Sequence, residues 1–289
     1  MSGTTPPDAP PVDPTDRRLT PATDRVALDS LRGMIAAENW TEGTPARLIR
    51  PVADLRRAPG GPRDRQVIFG ADLTLIETRD GWSFVQARAD GYCGWIETDA
   101  VTTTTPPITH WVNAPGSTIF SGPDLKTPDL MGLSLGARLS SEGVEGRFLR
   151  LAEGAGFVPL QHVAAVDQPA PDPAGVAEML LGTPYLWGGN SRWGIDCSGL
   201  AQAAMRAAGR ICAGDSDQQW RLSGAVVTDR IQRSDLLFWK GHVAIALSPD
   251  QMIHANANRM AVTVEGIAEA KARIEAAGEG AFLGVKRLG

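Results

Sequence analysis

Apolar positions change period along this chain. Between 44 and 165 they fall in short runs broken by Gly, Pro and Asp, the punctuation of short β-strands. Gln66–Phe69, Leu73–Glu77, Trp82–Ala87 and Cys93–Glu97 are the clearest of these runs. Strands that short and that evenly spaced predict small barrels. Upstream, residues 1–16 are rich in Pro, Asp and Thr and predict a disordered tail. Leu19, Val26, Leu28, Leu31, Met34 and Ile35 are scattered through 17–43 and predict one short helix around 24–37. Residues 166–173 (Val-Asp-Gln-Pro-Ala-Pro-Asp-Pro) predict an extended linker. Beyond it the pattern becomes α+β. Ala174–Leu181 predicts a short helix. Asp196–Ala208 carries apolar residues at helical spacing and stops at Gly209. Gln218–Leu222 predicts a further helical turn. Strands are expected near Asp235–Trp239, His242–Leu247, Gln251–His254 and Ala261–Glu265. A helix over Ile267–Ala277 and a strand over Phe282–Lys286 complete the pattern.

A weak internal repeat runs through the barrel region. Phe69-Gly70-Ala71-Asp72-Leu73 echoes Leu135-Gly136-Ala137-Arg138-Leu139, and Gly94-Trp95-Ile96 echoes Gly156-Phe157-Val158. Two barrels, 44–104 and 105–165, fit the length. The ending Gly91-Tyr92-Cys93-Gly94-Trp95-Ile96 resembles that of bacterial SH3-like domains, and the second copy is more degenerate.

Charge and composition narrow the function classes. The 289 residues are 43% hydrophobic and 21% charged, ordinary for a soluble globular protein. A net charge of −5 and a pI near 5.4 argue against a general nucleic-acid binder. No apolar run approaches a membrane span. The N-terminus has neither basic region nor apolar core, so a cytoplasmic location is expected. Three cysteines, Cys93, Cys197 and Cys212, make no disulfide framework. Histidine and cysteine spacings suggest no metal site, and no cofactor is expected.

Cys197 differs from the other two cysteines. It opens a predicted helix inside the polar run Asp196-Cys197-Ser198-Gly199, and Gly-His-Val-Ala-Ile follows at 241–245. The thiolate is the nucleophilic form, and a helix N-terminus and a nearby histidine both lower a thiol pKa. The expectation is a cysteine hydrolase with a helix bearing the cysteine and a sheet bearing the histidines, a papain-like arrangement.

The run Thr183-Pro184-Tyr185-Leu186-Trp187-Gly188-Gly189, followed by Gly194-Ile195-Asp196-Cys197-Ser198-Gly199-Leu200, resembles the nucleophile motif of NlpC-type cysteine peptidases. These are bacterial enzymes that cut cell-wall peptides. The resemblance implies Cys197 as nucleophile, His242 as general base and acid, and His254 as the residue that orients it. Asn256, two residues on, shares a strand face with His254. The backbone N–H of Cys197 and the phenol of Tyr185 would hold the oxyanion. Trp187 would wall the cleft.

A subgroup with SH3-like domains ahead of the peptidase resembles nearly the whole chain. The implied fold is multidomain: two small all-β SH3-like barrels, then an α+β papain-like peptidase over 174–289. The implied reaction is hydrolysis of the γ-D-Glu–diamino acid bond in small muropeptides, a recycling function. The free amine of L-Ala would be recognised by Asp196, Ser198 and Ser216, and Tyr92 would close the site. One position departs: where the subgroup often carries glutamate, this chain has Ala71. The alternatives are a wall-binding SH3-like module with an inactive peptidase, and an amidase or acyl transferase on the same fold. A monomer acting on a small peptide, with no nucleic-acid or membrane partner, is expected.

Overall fold

A computed structural model of the chain describes residues 10–222 and 224–287. They form two compact units. Of these residues, the first unit comprises 10–49, 54–64 and 71–105; the second comprises 50–53, 65–70, 106–222 and 224–287.

The first unit is built on an antiparallel sheet. Thr44–Leu48 lies between Val101–Thr102 and Asp72–Arg79, and the order continues through Trp82–Ala87 and Cys93–Glu97. Asp80 and Gly81 both take positive φ (49° and 79°), the two-residue turn that joins twisted strands. Leu28, Ile76, Phe84, Cys93 and Trp95 form a core, with the Phe84 and Trp95 rings 5.3 Å apart.

Two expectations for the N-terminal region are corrected. No helix forms over 24–37. Val26–Leu28 pairs in parallel with Asn39–Thr41, and Asp29–Leu31 makes a single 3-10 turn. Gly33, at φ +80°, interrupts any helix there. Residues 10–16 are not a featureless tail either. Asp13 Oδ1 accepts from the N–H and hydroxyl of Thr15, and Asp16 pairs with Arg18. These local side-chain bonds hold turns that hydrophobicity does not report. Residues 1–9 lie outside the described residues.

In the second unit, residues 106–165 make two small sheets. His110–Val112 is central in one, between Arg138–Leu139 and Val163–Ala165. The other runs Asp129–Ser134, Gly116–Phe120, Phe157–Pro159, Phe148–Leu151, Ser141–Glu145. They enclose Val112, Ile119, Leu133, Leu149 and Val158. The proline-rich segment is tied down at two points: Trp111 Nε1 donates to the Gln168 carbonyl, and Ala170 N–H donates to the Ala207 carbonyl.

Four helices follow: α1 (Pro173–Glu178), α2 (Cys197–Ala207), α3 (Ser216–Leu222) and α4 (Ile267–Ala277). Between them lies a six-stranded antiparallel sheet. Its order is Ala225–Val226, Phe282–Arg287, Leu236–Trp239, His242–Ala246, Gln251–Asn256, Ala261–Gly266. Alternation sends Phe238, Val243, Ile245, Ile253 and Ala255 to a core with Leu200, Ala204 and Met205 of α2. The residues of opposite parity, Leu237, Ala244, Ala246 and Met252, meet Ile267, Ala270 and Ile274 of α4. Trp111 and Leu135 join the α2-side core, so residues 106–165 and the helical region share one hydrophobic interior. Each fully buried Leu or Ile there contributes about 1.5–3 kcal/mol.

The start of α2 is held by close backbone approach. A Cβ on Gly199 would stand 2.4 Å from the Gly189 carbonyl oxygen and 3.2 Å from Asn190 Oδ1. Gly199→Ala is expected to lower unfolding free energy by about 1–3 kcal/mol, the cost of overpacking. Urea denaturation checks it, and an unchanged midpoint would show that the loop yields without cost.

Candidate active site

The loop before α2 is fastened at both ends. Val262 N–H donates to the Thr183 carbonyl and Tyr185 N–H to the Met260 carbonyl. Asn190–Ser191 and Gly194–Ile195 form a two-residue ladder. Gly188 takes φ +71°, and a Cβ on Gly189 would lie 2.5 Å from the Gly194 carbonyl. The paired glycines are therefore steric requirements. Gln66, within the second unit, donates its backbone N–H to the Gly188 carbonyl (2.7 Å) and accepts from Asn190 Nδ2 through its own carbonyl. Arg65 donates to Gln202 Oε1 on α2.

Asp196 is the N-cap of α2. Its Oδ1 accepts from Gly199 N–H (2.7 Å) and from the Ser198 hydroxyl (3.0 Å), and its Oδ2 accepts from Gly188 N–H (2.8 Å). None of these three donors is charged. Burial pushes the carboxyl upward, and the three donors oppose that shift.

Cys197 follows as the first residue of α2 and is buried. Burial, then the Asp196 charge, pushes its thiol up to about 12. The backbone N–H groups of Val243, Ser198 and Cys197 itself act in the opposite direction. The expected depression of the thiol by the helix start is thus outweighed by desolvation. The sulfur rests as a thiol beside the backbone of the residue next to His242.

His242 opens the strand that follows the Lys240-Gly241 turn, with Trp239 opposite it across the hairpin at 5.7 Å between ring centroids. Its Nε2 lies 2.9 Å from Nδ1 of His254 on the neighbouring strand. His254 is fully buried, and its Nε2 lies 3.1 Å from Glu265 Oε2. Arg273 of α4 clamps Glu265 with bonds of 3.0 and 2.8 Å, which hold its carboxylate below the usual range. Burial pulls His242 down to about 3, with the His254 charge next in effect. Burial pulls His254 down to about 4, against the opposing charge of Glu265. Both rings are neutral near pH 7.

The predicted binding residues separate into groups. Tyr185 is half-buried and within electrostatic reach of Cys197 and Asp196. Burial first, then those charges, raises its phenol, so it stays a hydrogen-bond donor. Ser198 is committed to Asp196. Ser216 starts α3, next to Asp215, whose charge reaches Asp196. Trp187 is 72% exposed. Tyr92 belongs to the first unit, where Asp90 Oδ1 accepts from its backbone N–H.

Sequence reasoning missed Glu265, Arg273 and Gln219. Gln219 is buried, and its amide donates to the carbonyls of Ser198 and Ala213, fixing α3 against the start of α2. Nothing in the local pattern marks these residues, because each reads as an ordinary polar position on a strand or helix.

Residues 55–101 match the bacterial dipeptidyl-peptidase SH3 domain, and residues 182–274 match the NlpC/P60 family. A gamma-D-glutamyl-L-lysine dipeptidyl-peptidase of Bacillus cereus is 28% identical over 229 residues, covering 66% of this chain and 67% of that protein. Its namesake in Bacillus subtilis is 28% identical over 212 residues, covering 66% and 71%. Dipeptidyl-peptidase 6 of Lysinibacillus sphaericus is 27% identical over 227 residues, covering 71% and 84%. The crystal structure of an NlpC/P60 family protein from Bacillus cereus superposes with a TM-score of 0.71 at 21% identity, covering 84% of this chain and 99% of that one, a likeness of fold. The chain combines a bacterial dipeptidyl-peptidase SH3 domain with an NlpC/P60 domain, and it is a cysteine peptidase.

The neutral buried histidines carry a stability signature. Their folded-state values lie below the ordinary 6.5, so below pH 6.5 the unfolded chain binds protons that the native state refuses. Stability therefore falls as pH drops from 6.5 toward about 4, by about 1.4 kcal/mol per pH unit for each such histidine. Replacing His254 with Asn should flatten that slope. Urea midpoints of both proteins across this window check it, and identical slopes would place the His254 ring in water.

Proposed function

We propose that this chain hydrolyses the bond between γ-D-Glu and the following diamino acid in small cell-wall peptides, with Cys197, His242 and His254 as its catalytic residues. The observation that carries the reading is the ordered set of a thiol at a helix N-terminus, one histidine at a strand start and a second histidine 2.9 Å behind it. His254 engages Nε2 of the first ring, so Nδ1 of His242 is the nitrogen left for the thiol. His242 takes the Cys197 proton as the sulfur attacks the γ-carbonyl. The oxyanion is met by the Cys197 N–H and the protonated Tyr185 phenol. His242 returns the proton to the amine of the diamino acid, which leaves. Water then attacks the thioester, with His242 as base, and releases L-Ala-D-Glu. Because thiol and imidazole are both neutral at rest, proton transfer accompanies attack.

The substrate assignment rests on the named relatives and on Asp196. A buried carboxylate whose partners are all neutral is suited to an ammonium group, here the free amine of L-Ala. Ser198, Ser216 and Trp187 complete the proposed substrate contacts. On this reading Asp196 is the main source of selectivity. Residues 106–165 are read as a second SH3-like barrel on the strength of their two small sheets, and residues 174–289 as a papain-like layout with α2 across the sheet. We further propose that the chain acts as a cytoplasmic monomer on released fragments rather than on the intact wall.

The test is product analysis by mass spectrometry with L-Ala-γ-D-Glu-meso-diaminopimelate, beside its N-acetylated form. Cys197→Ala should lower turnover about 10⁴-fold or more. N-acetylation should lower kcat/KM about 100-fold, as expected when a buried charge loses its partner. Full activity of Cys197→Ala would overturn the enzyme assignment, and equal cleavage of both peptides would remove amine recognition by Asp196.

A further inference from the structure

We propose that Glu265, held by Arg273, is a positioning residue that selects the tautomer of His254 and, through it, the nitrogen of His242 that can act as base. This inference rests on the assignment of Cys197, His242 and His254 above. It starts from a conflict at a single atom. Nε2 of His254 lies 3.1 Å from Glu265 Oε2 and also 3.1 Å from Asn256 Nδ2. The Asn256 amide is oriented by its other partners. Its Oδ1 accepts from Arg259 N–H (2.8 Å), and its Nδ2 donates to Thr263 Oγ1 (2.8 Å). An amide N–H therefore faces Nε2, and it favours a lone pair there. The carboxylate favours an N–H there. Only one can be satisfied.

The carboxylate prevails while it is ionised, because a charge-assisted hydrogen bond is roughly twice as strong as a neutral one. Arg273 keeps it ionised: Nε donates to Oε1 and Nη2 to Oε2. With its proton on Nε2, neutral His254 has a lone pair on Nδ1. That lone pair accepts from His242 Nε2–H, and the lone pair of His242 is left on Nδ1, the nitrogen available to the thiol. The other tautomer reverses every step. Nδ1–H of His254 would donate to His242 Nε2, and His242 would carry its proton on Nδ1, where it cannot take one from Cys197. No proton is gained or lost between the two arrangements.

Among the described residues, the charges that act on the two rings from outside the pair come from Glu265 and Arg273. Glu265 lies on the strand beside His254, Arg273 on α4 packs over Glu265, and Glu279 lies 3.7 Å from Arg273. Glu265 raises the affinity of both rings for a proton, and Arg273 lowers it.

The experiment compares wild type, E265Q and R273Q at neutral pH by nitrogen-15 NMR of the histidine rings, with kcat and KM measured alongside. The chain has four histidines, and H242Q and H254Q assign the two that matter. Wild type should show His254 protonated at Nε2. In E265Q the uncharged amide competes with Asn256, and His254 should move toward the Nδ1–H form. The kcat of E265Q should fall about 10- to 100-fold, the scale seen when a residue that orients a functional histidine is removed, with KM nearly unchanged. Ring titrations should move in opposite directions: His254 to lower pH in E265Q and to higher pH in R273Q. A merely structural role would not produce opposite shifts. Wild-type ring signals and kcat in E265Q would overturn the inference. Activity persisting in Cys197→Ala would instead overturn the catalytic reading, while the ring signals would still decide the tautomer question.

Discussion

The carboxylate of Asp196 is the constraint on which the rest of the site depends. It caps the helix whose first residue is Cys197 and, through Oδ2, pulls in the Gly188 N–H of the preceding loop. One side chain therefore fixes both the height of the thiol and the path of the chain beside it. Its desolvation costs several kcal/mol. Hydrogen bonds to a charged acceptor contribute about 1.5–3 kcal/mol each, so three of them roughly offset that cost. A balance so close makes the loop sensitive to whatever enters. A ligand cation would strengthen the cap and the loop anchor together, and so couple binding to the geometry of the nucleophile.

The neighbours of Asp196 secure the same point from other directions. Gln219 of α3 holds the Ser198 carbonyl, Gln202 of α2 bonds the Cys212 carbonyl, and Gln66 holds the Gly188 carbonyl. Gln219 and Gln202 act through neutral side-chain amides in buried positions and Gln66 through its backbone N–H, so none of the three adds charge beside the thiol. A lysine or arginine contributed by the protein at Asp196 would have neutralised the anion that the proposed substrate amine needs.

How much of this was legible in the sequence follows from what carries each feature. Helix α4, Trp82–Ala87 and Cys93–Glu97 run to the residues that periodicity predicted, because one apolar face decides each of them. Cys197 at a helix start was legible because Asp and Ser at a cap are a local signal. The helix expected over 24–37 failed for the opposite reason. Leu28 and Leu31 have helical spacing, but Gly33 and the pairing of Val26–Leu28 with Asn39–Thr41 decide the backbone, and that pairing is non-local. Glu265 was invisible for the same cause. It lies eleven residues from His254 and acquires meaning only when two strands align and α4 brings Arg273 across them.

The use of a second histidine rather than a carboxylate behind His242 has a physical consequence. A carboxylate in contact with the base would stabilise the imidazolium directly and favour a preformed ion pair with the thiolate. Here the anion stands one ring further away, and Arg273 offsets much of its field. Burial therefore favours the neutral imidazole of His242 and the thiol of Cys197. In the proposed mechanism such a pair reacts as an incoming carbonyl accepts the sulfur's electrons and the proton moves. A resting thiol is also a poor target for oxidants, since susceptibility follows thiolate character. In the proposed mechanism, the relay from Glu265 to His242 supplies the direction of proton transfer without the charge that would keep the proposed nucleophile ionised between turnovers.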